Sequence, residues 1–416
     1  MKESRNGSTD RRGLPRGFRL CLRAVLAAAL PVLSQAQTPT PTETTTPSPA
    51  PSQTPTPAAM PTPTQTSEQS QAPPPTWNFS GDFRLRWERT SDQEPTTEAD
   101  RLEPRRRWVV RFRSALTRQF GRVTTFGVRV ATGQRGDPNS TDITLGDFAD
   151  RLEMSFDRAY LELKNKGLFA TGGKFANPFT TTELVWDGDV NPQGVAASIG
   201  RPGKHQVTPK LTGIFYVVDE DTINPDSYML GGQGQVTVKP SSSWSLVLAG
   251  GYYDYTIESL RHADSGDTRG NRLTPDGTQY LSDFDLLDAV LTLDHAGFGA
   301  RYPIKFVADY VKNLGAEGKD DGFGLDLFVG RASAKGDLRF RYGYSQAETD
   351  AVLAAFSHDN TTLATNYKQH TATVDYQVLK DMQLNATWYV YRRLSSPLPD
   401  PSGWITRLRL NALVSW

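Results

Sequence analysis

Arginines recur at every second position near both ends of one long stretch of this chain. Arg84 and Arg86 lie in "WNFSGDFRLRWER" (77–89), Arg107, Arg111 and Arg113 in the next segment, and Arg129 beyond it. Arg407 and Arg409 lie in "WITRLRLNALVSW" (404–416), and Arg339, Arg341, Glu162 and Asp375 sit in similar alternations. A guanidinium stays protonated and cannot act as a general acid or base. A row of them instead grips carboxylates or draws anions.

Residues suited to catalysis are sparse. The five histidines are His205, His262, His295, His358 and His370. His262 and His358 are near Asp264 and Asp359, but sequence neighbours rarely form a catalytic dyad. The sole cysteine, Cys21, leaves no Cys/His cluster for a metal. "GDP" and "GGK" lack the strand–loop–helix setting of a phosphate loop. The expectation is no enzyme, no metal and no cofactor.

The arginines need elements that put them all on one face. In 77–89, Asn78, Ser80, Asp82, Arg84, Arg86 and Glu88 interleave with Trp77, Phe79, Phe83, Leu85 and Trp87. A period of two is a strand whose faces meet different surroundings. Either the aromatics pack on a core with the arginines in water, or the aromatics face lipid with the arginines in an enclosed lumen.

The rest of the chain discriminates. It carries 46 basic and 46 acidic residues, so overall charge implies neither nucleic acid nor an acidic surface as partner. A basic stretch, the apolar run "LRAVLAAALPVL" and Ser34-Gln35-Ala36 predict an export signal over 1–36. Residues 37–76 are almost all Thr, Pro, Ser, Ala and Gln, which predicts an extended, mobile linker. No stretch of 77–416 reaches the roughly 18 apolar residues of a membrane-spanning helix, and a strand-built barrel needs none.

Sixteen strands are predicted, at 77–89, 105–118, 123–132, 153–164, 167–175, 194–200, 206–218, 228–239, 243–256, 284–295, 302–311, 322–332, 336–347, 367–379, 382–393 and 403–416. Their connections alternate in length. Long ones at 90–104, 133–152, 176–193, 219–227, 257–283, 312–321, 348–366 and 394–402 are separated by tight turns such as "NKG" (165–167) and "KDM" (380–382). Loops sorted by length onto two rims describe an all-β fold: a transmembrane antiparallel β-barrel of about 16 strands over 77–416, with long outer loops and short periplasmic turns. The last strand puts Leu408, Leu410, Ala412, Val414 and Trp416 on one face, an aromatic-ended pattern suited to outer-membrane assembly. Aromatics pointing inward would leave each arginine in the acyl chains at about 2–4 kcal/mol, so the aromatics are placed outward.

Closing this barrel predicts that Arg407 and Arg409 join Arg84 and Arg86, with Arg107, Arg111, Arg113 and Arg129 continuing a basic wall. Glu162, Asp288, Asp309, Asp326 and Asp375, with Asp137, Asp142, Asp147 and Asp150 of the 133–152 loop, are the carboxylates expected to face it. The 133–152 or the 176–193 loop is expected to fold inward and narrow the pore. "ETDAVLAAF" (348–356) reads as a short helix in an outer loop, packed on the barrel mouth or inserted into it, with packing the favoured role.

"GVRVATGQRGDPNSTDITLGD" (127–147), "FDRAYLELK" (156–164), "GGKFANPF" (172–179), "LVWDGDVNPQGVA" (184–196), "FVADYVKNL" (306–314) and "ETDAVLAAF" together resemble the putative porin family of Gram-negative outer membranes. The resemblance spans nearly all of 77–416 and implies a channel-forming barrel, without a substrate. The expected function is passive diffusion of small hydrophilic solutes or ions through an Arg-lined lumen in the bacterial outer membrane. Outer-membrane lipid and such solutes are the expected partners, a homotrimer the expected assembly by analogy. The alternative is a structural or adhesive barrel whose surface loops bind a partner.

Overall fold

The structure, a computed structural model, describes residues 76–91, 104–134, 136–263, 266–268, 270–299, 301–395 and 403–416. The export signal and, apart from Thr76, the Thr/Pro linker lie outside the described residues. The chain opens with β1 (Trp77–Ser91), β2 (Arg105–Phe120), β3 (Thr124–Thr132), the three-residue β4 (Ile143–Leu145), β5 (Met154–Asn165) and β6 (Leu168–Lys174). Next come β7 (Gln193–Gly200), β8 (Val207–Asp219), β9 (Ser227–Ser241), β10 (Trp244–Thr256) and β11 (Phe284–His295). The chain ends with β12 (Ile304–Asn313), β13 (Asp321–Gly330), β14 (Leu338–Ala347), β15 (Tyr367–Leu379), β16 (Met382–Arg393) and β17 (Ile405–Ser415).

Apart from β4, each strand pairs antiparallel with its neighbours in sequence, and β1 pairs with β17. The sheet therefore closes on itself as an antiparallel barrel of sixteen strands, with β4 a short addition beside the outer end of β2. Closure satisfies every strand edge, which a barrel in lipid requires. Among the described residues no helix is long and apolar enough to cross a membrane.

Alternation sorts the two faces. Phe83, Leu85, Trp108, Leu248, Leu287, Leu325, Phe340, Leu408 and Leu410 are exposed on the outside, and Trp388 is 53% exposed. Arg86, Glu88, Gln369, Thr371, Asp375, Arg407 and Arg409, at the intervening positions, are buried inside. So wide an apolar outer surface suits lipid and would be an aggregation hazard in water. Turn chemistry fits the short rim: Lys166 and Gly167 both have positive φ, 41° and 88°, and form the two-residue hairpin between β5 and β6.

The seam between β1 and β17 depends on one glycine. Gly81 N–H donates to the Trp416 carbonyl at 3.1 Å and Trp416 N–H donates back to Gly81 at 3.1 Å. A Cβ on Gly81 would stand 2.5 Å from the Trp416 ring and 2.4 Å from the Arg113 carbonyl oxygen. The indole instead lies over the bare backbone, between Phe79 at 6.4 Å and Phe112 at 5.8 Å. Gly81→Val is expected to destabilise the closed barrel by about 1–3 kcal/mol. Urea titration of the lipid-refolded protein measures this, and an unchanged midpoint would refute the packing argument.

One element differs from expectation. Residues 348–356 form no helix; they fold as irregular turns buried inside the barrel, with Ala351, Val352 and Leu353 almost wholly shielded. Side chains and neighbouring loops take the backbone groups a helix would use. The Asn271 amide donates to the Thr349 and Val352 carbonyls at 2.8 and 2.9 Å, and its oxygen accepts from Ala354 N–H at 2.8 Å. The Phe356 carbonyl accepts from Asp187 N–H at 2.8 Å.

Candidate functional site

Register brings the two ends of the chain together on the inner wall. Glu88 pairs across β1–β17 with Arg409 and across β1–β2 with Arg107. Its carboxylate accepts from Arg107 at 2.8 Å and from Arg409 at 2.7 Å, with Arg407 at 3.6 Å. One strand step toward the short turns, Arg84 and Arg86 both bind Asp142, Arg86 at 2.6 Å. Below them Asp82 holds Arg111 and Arg113, each at 2.8 Å. On β3, Arg129 binds Asp157. A bulge in β5 at Asp157 lets both Asp157 and Arg158 reach Asn191, each at 2.6 Å. Across the barrel Arg339 binds Asp375 at 2.7 Å, and Arg341 grips Asp326 with two bonds of 2.7 and 3.0 Å.

Several of these pairs tether loops rather than line open water. Asp142 belongs to the 133–142 segment, which turns inward before β4. Arg113 also binds Asp189 at 2.7 Å, which fastens the loop between β6 and β7. Arg407 donates to the Asn360 carbonyl at 2.9 Å and Arg409 to the Asn360 side-chain oxygen at 2.9 Å, which fastens the loop between β14 and β15. The loops bind one another as well. Asn139 donates to the Ser357 carbonyl at 2.9 Å, His358 N–H to the Glu183 carbonyl at 3.1 Å, and Asn360 to Glu183 at 2.7 Å.

At their centre is an apolar plug. Trp186 stacks on Phe356 with centroids 5.7 Å apart and planes 5° from parallel. Tyr216 of β8 and Tyr253 of β10 pack around this pair, 5.9 and 6.3 Å from Trp186. Leu184, Val185, Val352 and Leu353 complete the buried cluster against inward residues of β8 to β12, among them Ile214, Met229, Leu286 and Val311.

Cavities flank the plug. An outer one of about 520 Å³ is lined by Arg105, Arg107, Asp142, Asp359, Thr361 and Arg407, among others. An inner one of about 320 Å³ lies against β11 to β15 and the 180–184 segment. Residues 358–362 divide them as a septum. His358 and Asn360 line the inner cavity, while Asp359, Thr361 and Thr362 line the outer.

The loops carry a pH-sensitive group. Asp187, in the β6–β7 loop, is buried, and burial pushes its carboxyl well above the usual range, helped by Glu183, Asp359 and Asp189 nearby. Asp142 is shifted the other way: burial works against ionisation, but Arg84, Arg86 and Arg409 outweigh it and hold its carboxyl well below the usual range. A raised acid stabilises the docked loop while protonated, and that contribution fades as pH rises from about 4 toward its elevated pKa. Asp142's ion pairs are complete above about pH 4 and weaken only in stronger acid. Of these two loop acids Asp187 therefore sets the response above about pH 4, so acidification toward pH 4 is expected to tighten the plug and lower conductance. Asp187→Asn should flatten that profile, and an unchanged pH response in this variant would refute the assignment.

Ten of the twelve residues singled out from the sequence stand in the ion pairs described above: Arg84, Arg86, Arg107, Arg111, Arg113, Arg129, Arg339, Arg341, Arg407 and Arg409. Asp375 is the partner of Arg339. Glu162 faces inward on β5, and among the described residues no ion pair joins it. The wall is met by carboxylates of both origins: Asp142 of the 133–152 loop pairs with Arg84 and Arg86, and Asp189 of the β6–β7 loop with Arg113. Asp82, Glu88 and Asp157 come from the same wall, and alternation alone could have put them on its face. Asp288 and Asp309 lie with Tyr253 and Thr182 instead of an arginine. Of the constriction candidates, the 176–193 loop folds inward, while the 133–152 loop does so only over 136–142. Residues 148–153 are exposed, so Asp150 does not face the wall, and the 348–366 loop folds inward instead. Trp186 is a further interior residue, and its sequence signal is "LVW" (184–186), an apolar run inside a long polar connection.

A family model described as putative porin matches residues 75–284 of the chain. No curated protein matches it. Among solved structures, a loop-deletion mutant of OmpT, an outer membrane protein of Vibrio cholerae, is 12% identical, with 82% of this chain and 99% of that one covered and a TM-score of 0.48. A triple mutant of Rhodopseudomonas blastica porin is 11% identical over 82% of this chain and 100% of its own, with a TM-score of 0.44.

Proposed function

The chain belongs to the putative porin family, and from that premise we propose that it is a passive outer-membrane channel for small hydrophilic solutes or ions. In this reading residues 1–36 direct export, 37–76 form an extended, mobile linker, and the barrel assembles as a homotrimer. The observation that carries it is the reversal of faces: apolar side chains exposed outside, charged and hydroxyl side chains enclosed within. A soluble sheet would have the opposite arrangement.

Arg84, Arg86, Arg107, Arg111, Arg113, Arg129, Arg339, Arg341, Arg407 and Arg409, with Glu162 and Asp375, line the lumen in this proposal. Because the arginines sit beside carboxylates, little unbalanced charge remains to concentrate anions, and weak ion selectivity follows. Planar-bilayer recording from refolded 77–416 tests both statements. Stepwise conductance with a small reversal potential in a salt gradient is expected. Arg84→Glu with Arg111→Glu should leave Asp142 with Arg86 alone and Asp82 with Arg113 alone, add two carboxylates, and shift the reversal potential toward cation selectivity. An unmoved reversal potential would mean these side chains lie off the ion path.

One observation favours a second reading. The Trp186–Phe356 plug buries apolar surface across part of the lumen. A barrel sealed by it would be structural or adhesive, with the outer loops as its binding surface, and would give no conductance steps.

A further inference from the structure

Below the septum the inner cavity has the makings of a solute site. Its volume of about 320 Å³ corresponds to about ten waters at liquid density. Two of the charged groups in its lining cancel: Arg341 is gripped by Asp326 through two bonds of 2.7 and 3.0 Å. Glu183 accepts from Asn360 at 2.7 Å. Lys305, at the short-turn end, is the cation of the lining that stands in no ion pair among the described residues. Asp309 accepts from Thr182, and beside these groups the lining offers hydroxyl and amide: Thr181 from the β6–β7 loop, Ser345 from β14, and Gln369 and Thr371 from β15.

Gln369 is the second observation. It is 6% exposed, its amide nitrogen donates to Thr371 Oγ1 at 3.1 Å, and its Oε1 has no hydrogen-bond partner. A buried amide end left without a partner costs about 1–3 kcal/mol unless something enters to satisfy it. The groups around it are hydroxyls, which donate and accept alike. An anion would meet Glu183 and Asp309 here, with Arg341 already held by Asp326 and Lys305 only at the short-turn end, whereas a polyol can bond to the hydroxyl and amide groups as they stand.

We propose that this cavity is a binding subsite for a neutral polyhydroxylated solute of monosaccharide size, held by Gln369, Thr371, Ser345 and Thr181. The inference rests on the channel reading above, whose solute class it names. A solute pausing here would be selected by hydrogen bonding, while the neutralised wall stays indifferent to ions.

Calorimetric titration of the detergent-solubilised full chain with glucose, sodium gluconate and glycine tests the subsite without needing conductance. Saturable heat with glucose, and weaker or no heat with the other two, is expected. Gln369→Leu combined with Thr371→Val should weaken glucose binding by roughly tenfold. Thr181→Val, on the loop side and away from the strand wall, is a second variant expected to act in the same direction. Heat-modifiable gel mobility checks that each variant is folded. Tighter binding of gluconate or glycine, no saturable glucose heat, or wild-type glucose binding in both folded variants would overturn the proposal. Bilayer recording separates the two readings. Glucose binding in a protein that passes no current would remove the channel and leave the subsite. Current steps in a protein with no glucose heat would do the reverse.

Discussion

Glu88→Ala is expected to lower the stability of the folded barrel by about 3–5 kcal/mol, because it breaks a buried charge cluster by removing its only anion. Glu88 is 1% exposed, and the arginines on either side, Arg407 and Arg409, are 4% and 3% exposed. Arg107 completes the set from β2 at 2.8 Å. With the carboxylate gone, three guanidinium groups would face one another in a poorly hydrated corner, where like charges repel strongly. The loss also falls at the seam, since Glu88 bridges β2, β1 and β17 and so links the first strands to the last. The midpoint of urea unfolding in lipid vesicles measures the effect, and a shift equivalent to less than about 1 kcal/mol would show that water reaches the cluster. Glu88→Gln keeps the shape and some hydrogen bonds and should lie between wild type and Ala. High salt should narrow the difference only slightly, because buried pairs are poorly screened.

The barrel was legible in the sequence because its determinants are local. Alternation in "WNFSGDFRLRWER" gives β1, and the tight "NKG" turn gives the β5–β6 hairpin. Even the least regular predicted strand, at 194–200, corresponds to β7 (Gln193–Gly200). Closure followed from pairing first with last, and Arg407 and Arg409 do come beside β1. The interior was harder. Whether an arginine faces open water or a carboxylate depends on register and on where distant loops turn. Asp142 and Asp189 reach Arg86 and Arg113 through loop paths with no period to read. "ETDAVLAAF" fails as a helix for the same reason. Its apolar spacing suits one, but Asn271 and Asp187, 81 and 169 residues before Val352 and Phe356 respectively, take its backbone groups. Burial came from a plug, and plugs are assembled from contacts between remote segments.

Replacing residues 351–362 with a short Gly/Ser linker is expected to raise single-channel conductance severalfold while the barrel stays folded. The segment contributes Phe356 to the stack on Trp186 and forms the septum between the outer and inner cavities. Its removal joins those cavities and takes away the apolar surface that discourages a continuous water column. The wall should tolerate the change. β14 and β15 remain paired from Leu338↔Tyr376 to Ala347↔Tyr367, and a shorter loop costs little closure entropy. Arg407 and Arg409 lose Asn360 but keep Glu88, so their charges stay compensated. The deletion also bears on the two functional readings. If the intact protein gives small steps and the variant large ones, the septum is a constriction in a working channel. If the intact protein gives none and the variant conducts, the plug is a seal, and the barrel serves its outer loops instead. Equal conductance in a variant that still shows heat-modifiable mobility would mean that solutes bypass the septum altogether.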